Sequence, residues 1–124
     1  ANTFGRYRHP FDPNSAPLDD NFQGWAIVQS GKQGGFRFKT IIPGAYPASN
    51  SWTRPPHIHF KITKNGYHDL TTQMYFPGMA LNDKDRLLQA IAESERALMI
   101  ASKSANQSDK LDVYHYQIVM RKIQ

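Results

Sequence analysis

A chain of 124 residues with 40% hydrophobic and 20% charged side chains fits one compact domain with a modest core, and we expect no second domain within it. The formal net charge is +5, but lysine and arginine are scattered and no nucleic-acid motif accompanies them, so we expect no nucleic-acid partner. No apolar run reaches the ~18 residues of a membrane span, and the amino terminus does not resemble a signal peptide, so we expect a soluble, cytoplasmic protein with no membrane partner.

The first half of the chain predicts loops and one β-hairpin. Residues 1–21 contain three prolines and little hydrophobic periodicity, which indicates an irregular loop. The stretches "GWAIVQS" (24–30) and "GGFRFKTII" (34–42) predict two strands joined by a glycine-rich turn. The stretch "PGAYPASNSWTRPP" (43–56) is too rich in proline, glycine and serine for regular structure and predicts a long loop.

The second half predicts three more strands and one helix. The stretches "HIHFKITKNG" (57–66) and "YHDLTTQMYFPG" (67–78) are typical of strands, as is the closing stretch "KLDVYHYQIVMRKI" (110–123). Between them, residues 81–102 favour a helix capped by Asn82 or Asp83. These elements predict an all-β fold, a β-sandwich of two packed sheets with long loops and at most one short helix.

Two histidines stand one residue apart in "RPPHIHFKI". Side chains at positions i and i+2 of a strand point the same way, roughly 6.5 to 7 Å apart, so His57 and His59 share a face and can converge on one metal ion. The alternative is that both are ordinary polar groups bonded to backbone carbonyls. Because they lie on one face beside a proline-rich loop, we favour the metal.

Such a metal needs further ligands, and the sequence limits the choice. There is no cysteine, so the candidates are carboxylates, tyrosinates or water. No Asp or Glu occurs between Trp25 and Tyr67, which argues against a local carboxylate ligand. Tyr7 and Tyr46 lie in loops, although a buried tyrosine is usually a core aromatic and neither would stand alone as a ligand.

Several motifs together resemble a known family. The stretches "GRYRH", "APLDDNFQGW", "FRFKTIIPGAYP", "RPPHIHF", "TTQMYFPG" and "YHYQIVMR" follow one another in the order found in the intradiol ring-cleaving dioxygenases, most of all in the protocatechuate-cleaving branch. The resemblance covers nearly the whole chain. It implies one mononuclear non-haem Fe(III) ion per chain, held by Tyr7, Tyr46, His57 and His59.

The resemblance also implies an activity. Members of this family cleave a catechol ring between its two hydroxyl carbons with O2, which gives a cis,cis-muconate-type diacid. By the family's mechanism, Tyr46 matches the tyrosinate that the substrate displaces, Arg54 matches an arginine whose charge stabilises the bound substrate, and Gln73 matches a glutamine that orients it. We expect Trp52, Phe60 and Tyr75 to pack around the site without taking part in the chemistry.

The sequence departs from the family pattern in two places. The loop between Tyr46 and His57 is shorter than in protocatechuate-cleaving members, and Ala48 stands where a tryptophan commonly walls the pocket, so the substituents of the catechol stay open. The family carries strands ahead of the "GRYRH" segment, whereas here Tyr7 lies near the amino end. We therefore expect a single domain over residues 1–124 that is a trimmed form, one of two pieces, or an oligomer with a second subunit.

Two other functions remain open at this point. One is a non-catalytic partner subunit of such a dioxygenase, although the retention of all four ligand positions speaks against it. The other is a cupin-like metalloenzyme that uses the same histidine pair. It would need a carboxylate or a third histidine, for which only His68 and His115 lie later in the chain.

Overall fold

The computed structural model describes residues 1–105 and 111–124. In chain order, the strands of this part are β1 (Tyr46–Ser49), β2 (Trp52–Arg54), β3 (His57–Ile62), β4 (Leu70–Tyr75), β5 (Ser102–Lys103) and β6 (Tyr114–His115). Between β4 and β5 lie a 3₁₀ turn (Ala80–Lys84), helix α1 (Arg86–Gln89), helix α2 (Glu93–Arg96) and a second 3₁₀ turn (Ala97–Met99). The predicted all-β class is confirmed. Among the described residues, no helix has the length and apolar character needed to cross a membrane.

The strands pair as antiparallel two-stranded sheets, β1 with β2, β3 with β4, and β5 with β6, an arrangement consistent with the predicted β-sandwich. The β3–β4 pair is the longest and follows the predicted strands closely. His57 lies opposite Tyr75 and His59 opposite Gln73. Gly66 takes a φ of 80° in the connecting turn, where the Asn-Gly signal predicted it. This register places the residues of "HIH" against those of "QMY".

The prediction of a hairpin over 24–30 and 34–42 is wrong for the two strands, although the turn between them is present. The turn forms, since the Gly34 N–H donates to the Gly31 carbonyl at 2.9 Å, but no strand of the described chain includes these residues. A strand here would need a packing partner for its apolar face, but Trp25 is 69% exposed and Ile27 90% exposed. Phe36 and Phe38 do contact Phe60 of β3, each with ring centroids 6.0 Å away.

The helix predicted over 81–102 is also wrong as a continuous element. It is divided into the two 3₁₀ turns and the two four-residue helices given above. Asn82 does not cap a helix but is buried and donates its side-chain amide to the Phe76 carbonyl at 2.8 Å. Asp85 has an extended backbone (φ −75°, ψ 113°), which interrupts the helical path. Ala92 interrupts it again with a ψ of 137°.

The closing strand is confirmed only in part. β6 pairs with β5, and further along the Arg121 carbonyl accepts a hydrogen bond from the His68 N–H at 2.9 Å. Lys110, the first residue of the predicted strand, lies outside the described residues. Met74, Phe76 and Ala101 form the buried hydrophobic cluster, so the C-terminal end of β4 lies in the core.

Candidate metal centre

The N-terminal segment is fastened by one buried asparagine. Asn2 is 3% exposed, and its side-chain oxygen accepts hydrogen bonds from the Phe4 and Arg6 N–H groups at 2.9 and 3.0 Å. Its side-chain amide donates to the Pro17 carbonyl at 2.8 Å, and its backbone carbonyl accepts from Gly44 N–H at 2.9 Å. The segment that carries Tyr7 is therefore tied both to its own loop and to the loop before β1.

Two glycines allow the tyrosine segments to approach each other. Gly5 precedes Tyr7 by two residues, and Gly44 precedes Tyr46 by two residues. A Cβ atom on Gly44 would lie 2.3 Å from the carbonyl oxygen of Thr3, and one on Gly5 would lie 1.9 Å from that of Ala45. Gly5 also has a φ of 73°, which L side chains rarely adopt. The backbones are thus in direct contact, and the two phenol rings meet edge to face with centroids 5.3 Å apart.

The histidine pair of β3 faces the same place. The rings of His57 and His59 have centroids 5.0 Å apart, so the prediction that both lie on one face is confirmed by the geometry. Tyr7 stacks against His59 with centroids 5.9 Å apart, and its hydroxyl lies 3.5 Å from Nε2 of His57. Tyr7, Tyr46, His57 and His59 all line one cavity of about 260 Å³, whose wall Arg54 shares.

The chemistry of these donors fits a metal ion. Nδ1 of His57 lies 2.7 Å from the Pro55 carbonyl oxygen, so this nitrogen carries the proton. Nε2 is then the acceptor nitrogen that could bind a metal ion, and without a metal it accepts from Nη1 of Arg54 at 3.2 Å. Burial lowers the pKa of His57 to about 4 despite that hydrogen bond, and the Arg54 charge acts in the same direction as burial. Burial and the Arg54 charge also lower the pKa of His59. Both imidazoles are therefore neutral near pH 7, as ligands must be.

The phenols match a hard cation. Burial raises the pKa of Tyr7, although the positive charge of Arg54 opposes the rise, so this phenol keeps its proton in the protein alone. A highly charged cation can take the place of that proton and hold the anionic oxygen. Two neutral nitrogens and two phenolate oxygens make a donor set suited to Fe(III), and the four side chains that could supply it line the same cavity.

A buried network surrounds Arg54. Its side chain is 7% exposed and pairs with Asp85, whose side chain is fully buried, with Nη2 3.0 Å from Oδ2. Nη2 also donates to the Tyr75 hydroxyl at 2.8 Å and to Oε1 of Gln73 at 2.6 Å. The Tyr75 hydroxyl donates to Oδ2 of Asp85 at 2.7 Å. The Arg54–Asp85 ion pair is therefore buried and is not a surface salt bridge.

Sequence reasoning missed two members of this network. Tyr75 was expected only to pack, yet its hydroxyl contacts Arg54, Gln73 and Asp85. The predicted helix includes Asp85, and no motif marks it as a site residue. Its position gives no signal, since an aspartate is favourable in the first turn of a helix capped by Asn82 or Asp83.

The alternative third ligands lie elsewhere. Neither His68 nor His115 is among the residues that line the cavity. Within residues 1–105 and 111–124, no group of three or more His, Asp or Glu side chains is placed to hold a metal ion. The cavity is lined by the imidazoles of His57, His59 and His9, by the phenols of Tyr7 and Tyr46, and by Asp12, whose Oδ2 accepts from the Tyr7 N–H at 2.5 Å. Nδ1 of His9 accepts from the Phe11 N–H at 3.2 Å.

An all-β fold with imidazoles and phenols at one cavity provides the donor types that a hard metal ion prefers. Comparison with known proteins agrees: residues 1–122 match the sequence model of the family described as Dioxygenase. The chain is 40% identical to the protocatechuate 3,4-dioxygenase beta chain of Burkholderia cepacia, an alignment that covers 98% of this chain and 54% of the relative.

Two further relatives have related names. A chlorocatechol 1,2-dioxygenase of Pseudomonas putida is 35% identical over 53% of this chain and 30% of its own length. Catechol 1,2-dioxygenase 1 of Acinetobacter lwoffii is 26% identical over 88% of this chain and 40% of its own length. The chain belongs to the intradiol dioxygenase family, whose members use iron. It spans about half the length of the first of these relatives, and less of the others.

Proposed function

We propose that this chain carries the iron site of an intradiol dioxygenase that cleaves a catechol ring, protocatechuate-like in character, between its two hydroxyl carbons with O2 to give a cis,cis-muconate-type diacid. The observation that supports this most is the meeting of Tyr7, Tyr46, His57 and His59 at one cavity. The names of the relatives support the substrate class, since they specify protocatechuate, catechol or chlorocatechol.

The two tyrosines at the cavity have different roles. A bound ferric ion supplies the Lewis acidity that activates a chelated catechol towards O2. Tyr7, which is stacked on His59 and fastened through Asp12, is the phenol that stays in place. Tyr46 begins strand β1 at the other side of the cavity, and its phenolate oxygen accepts a proton from the incoming catechol.

Arg54 stabilises the charge that the substrate brings. A catechol that has lost its protons is an anion, and the Nη1 group of Arg54 lies 3.2 Å from Nε2 of His57 at the cavity wall. A fixed guanidinium in a site with little water stabilises negative charge on the ring oxygens more than it would in bulk solvent. Gln73 supports that guanidinium, because its Oε1 accepts a hydrogen bond from Nη2 of Arg54 at 2.6 Å.

The chain works as part of an assembly with a second subunit. That subunit packs against the exposed apolar side chains of residues 24–42. Residues 24–42 present several exposed hydrophobic side chains, among them Trp25, Ile27 and Val28. Contiguous apolar surface of this kind is typical of an interface. One relative is itself named as a beta chain, which supports the expectation that another chain completes the enzyme.

The proposal is tested by the colour and iron content of the purified chain. We expect about one ferric ion per chain after reconstitution under air, and a broad visible band from tyrosinate-to-iron charge transfer that shifts when catechol is added without O2. Admission of O2 should then give the product of cleavage between the hydroxyl carbons. His59→Ala should abolish the band. The matched control His115→Ala should keep it, since His115 is exposed and outside the cavity.

Three results would contradict the proposal. A chain that takes up zinc or ferrous iron and stays colourless would point to the cupin-like alternative. A chain that binds no metal, yet raises turnover when mixed with a catalytic subunit, would be the non-catalytic partner. Cleavage of the bond beside the two hydroxyl carbons would place the reaction outside the intradiol class.

A further inference from the structure

Arg54 is held along one edge of its guanidinium. Asp85 accepts from Nε through Oδ1 at 3.2 Å and from Nη2 through Oδ2 at 3.0 Å. This two-pronged contact fixes the plane of the guanidinium as well as its position. The opposite nitrogen, Nη1, is the one that lies 3.2 Å from Nε2 of His57. The edge away from Asp85 is therefore the edge that faces the cavity.

The other contacts of Arg54 cannot replace Asp85. Gln73 and Tyr75 are neutral and both contact Nη2 alone, so neither fixes the plane nor balances the charge. A guanidinium that is almost fully buried needs a counter-charge close by. Asp85, with a fully buried side chain, supplies it, and its Oδ2 also accepts from the Tyr75 hydroxyl at 2.7 Å.

Asp85 reaches this place from a different part of the fold. It lies 31 residues beyond Arg54, between the first 3₁₀ turn and α1, and it is not among the residues that line the cavity. A carboxylate so placed cannot touch a substrate in the cavity directly. Its influence on the site must pass through the side chain of Arg54.

We propose that Asp85 is a positioning residue: it holds the guanidinium of Arg54 so that Nη1 is directed at the cavity, where it meets the negative charge of a bound catechol. The inference rests on the proposed function for the substrate, but the hold of Asp85 on Arg54 is a property of the protein alone. The best variant is Asp85→Asn, which keeps the shape and one acceptor oxygen and removes the charge. Asp83→Asn is the matched control, since Asp83 is exposed and lies two residues earlier.

The first measurement needs no iron. The Nε–H of Arg54 should exchange with solvent far more slowly, by NMR on the iron-free protein, than that of Arg8, whose pair with Asp20 is exposed. Asp85→Asn should speed the exchange of Arg54 and shift its Nε resonance, and Asp83→Asn should change neither. If the Arg54 signal exchanges as fast as that of Arg8 in the wild-type protein, or is unchanged in Asp85→Asn, the proposal is wrong.

The second measurement is kinetic. Arg54→Ala should lower kcat by roughly 10²-fold, the scale of one preorganised electrostatic contact. Asp85→Asn should lower kcat by about 10-fold with iron content and KM close to wild type, because a misplaced contact is a weakened one. The double variant should be no slower than Arg54→Ala alone, since Asp85 acts only through Arg54. Effects that multiply in the double variant would overturn the proposal.

The two measurements separate this inference from the function on which it rests. If the wild-type protein binds iron and turns over no catechol, the proposed function fails, and the exchange of the Arg54 Nε–H still decides whether Asp85 holds the guanidinium. If turnover is normal and that exchange is unaffected by Asp85→Asn, the function stands and the positioning role falls.

Discussion

At the scale of single residues, the two tyrosines of the cavity differ in how they are held. Tyr7 is stacked on His59, lies 3.5 Å from His57 and is fixed through its backbone to Asp12, whereas Tyr46 stands at the first position of β1. We therefore expect Tyr7→Phe to weaken the binding of Fe(III) itself, because it removes the anionic ligand that stays. Tyr46→Phe should keep iron and some colour but bind and turn over catechols poorly, because the proton acceptor is gone.

Iron content and visible spectra of both variants, before and after anaerobic addition of catechol, distinguish these roles. Should the substrate complex of Tyr46→Phe lose the tyrosinate band while that of Tyr7→Phe keeps one, the two roles are reversed. Tyr114→Phe serves as a control, since Tyr114 packs against Phe76 in the core and not at the cavity.

Asp85 links the stability of the protein to pH. Burial raises its pKa, but hydrogen bonds from Arg54 and Tyr75 and the Arg54 charge outweigh burial and hold the pKa below the usual 3.8. A carboxyl whose pKa is lower in the folded state contributes stability above its unfolded pKa and loses that contribution as the pH falls through the folded pKa. At neutral pH, Asp85→Asn should thus reduce the free energy of unfolding by about 3 kcal/mol, the cost of leaving a buried cation unpaired.

Urea unfolding of the iron-free protein from neutral pH to about pH 2 measures this contribution. The gap between wild type and Asp85→Asn should be constant above the unfolded pKa and should close below it. A gap that stays the same down to the lowest pH would mean that the pKa of Asp85 is the same in the folded and the unfolded protein.

At the scale of elements, the contact between the Gly5 and Gly44 segments decides whether the tyrosines meet. In Gly44→Ala the new methyl group would lie 2.3 Å from the Thr3 carbonyl oxygen and 2.4 Å from the Gly5 nitrogen, so the N-terminal segment must move away. We expect a loss of roughly 1 to 3 kcal/mol in the free energy of unfolding. Iron affinity should fall as well, because Tyr7 moves with the segment.

Thermal unfolding and iron titration of Gly44→Ala check this expectation. Gly35→Ala is the matched control, since nothing lies within 4 Å of a Cβ at Gly35. Equal iron affinity in both variants would show that the cavity does not depend on the contact between the two segments.

The elements also show what a sequence can and cannot predict. Strands β3 and β4 and the pairing of His57 with His59 on one face follow from local alternation and an Asn-Gly turn, and both are present. The hairpin over 24–42 has the same alternation but lacks a packing partner for one face, and local pattern carries no information about partners. The predicted helix over 81–102 is interrupted at Asp85, which contacts Arg54 31 residues earlier in the chain, and again at Ala92.

Some residues of the site could also be predicted from the sequence, and others could not. The residues named from motifs, namely Tyr7, Tyr46, Arg54, His57 and His59, all line one cavity, and Gln73 contacts Arg54. Asp85 and Asn2 could not be predicted from the sequence, because their roles depend on the residues that they contact. Asp85 lies in no recognised motif. Asn2 forms hydrogen bonds with three different segments through their backbone groups, which every sequence has.

At the scale of the whole molecule, the uncovered surface over 24–42 should make the isolated chain associate. Ile27 is 90% exposed and lies near Trp25 in sequence, so self-association is the expected behaviour of this surface when no second subunit covers it. Sedimentation over a range of concentrations should show assembly of the wild-type chain. Ile27→Lys should weaken assembly, while Gln33→Lys, which adds the same charge in the turn, should not. A chain that stays monomeric throughout would contradict this assignment of the interface.

The long sequence separation between Arg54 and Asp85 has a consequence for synthesis. All four candidate ligands and Arg54 leave the ribosome before Asp85 does, since chains are made from the amino end. Closure of the sheet over Arg54 at that stage would bury a cation with no partner, which is strongly unfavourable. We therefore expect the nascent chain to keep its cavity open, and ferric iron to meet a finished pocket only after residue 85 has emerged and reached the guanidinium.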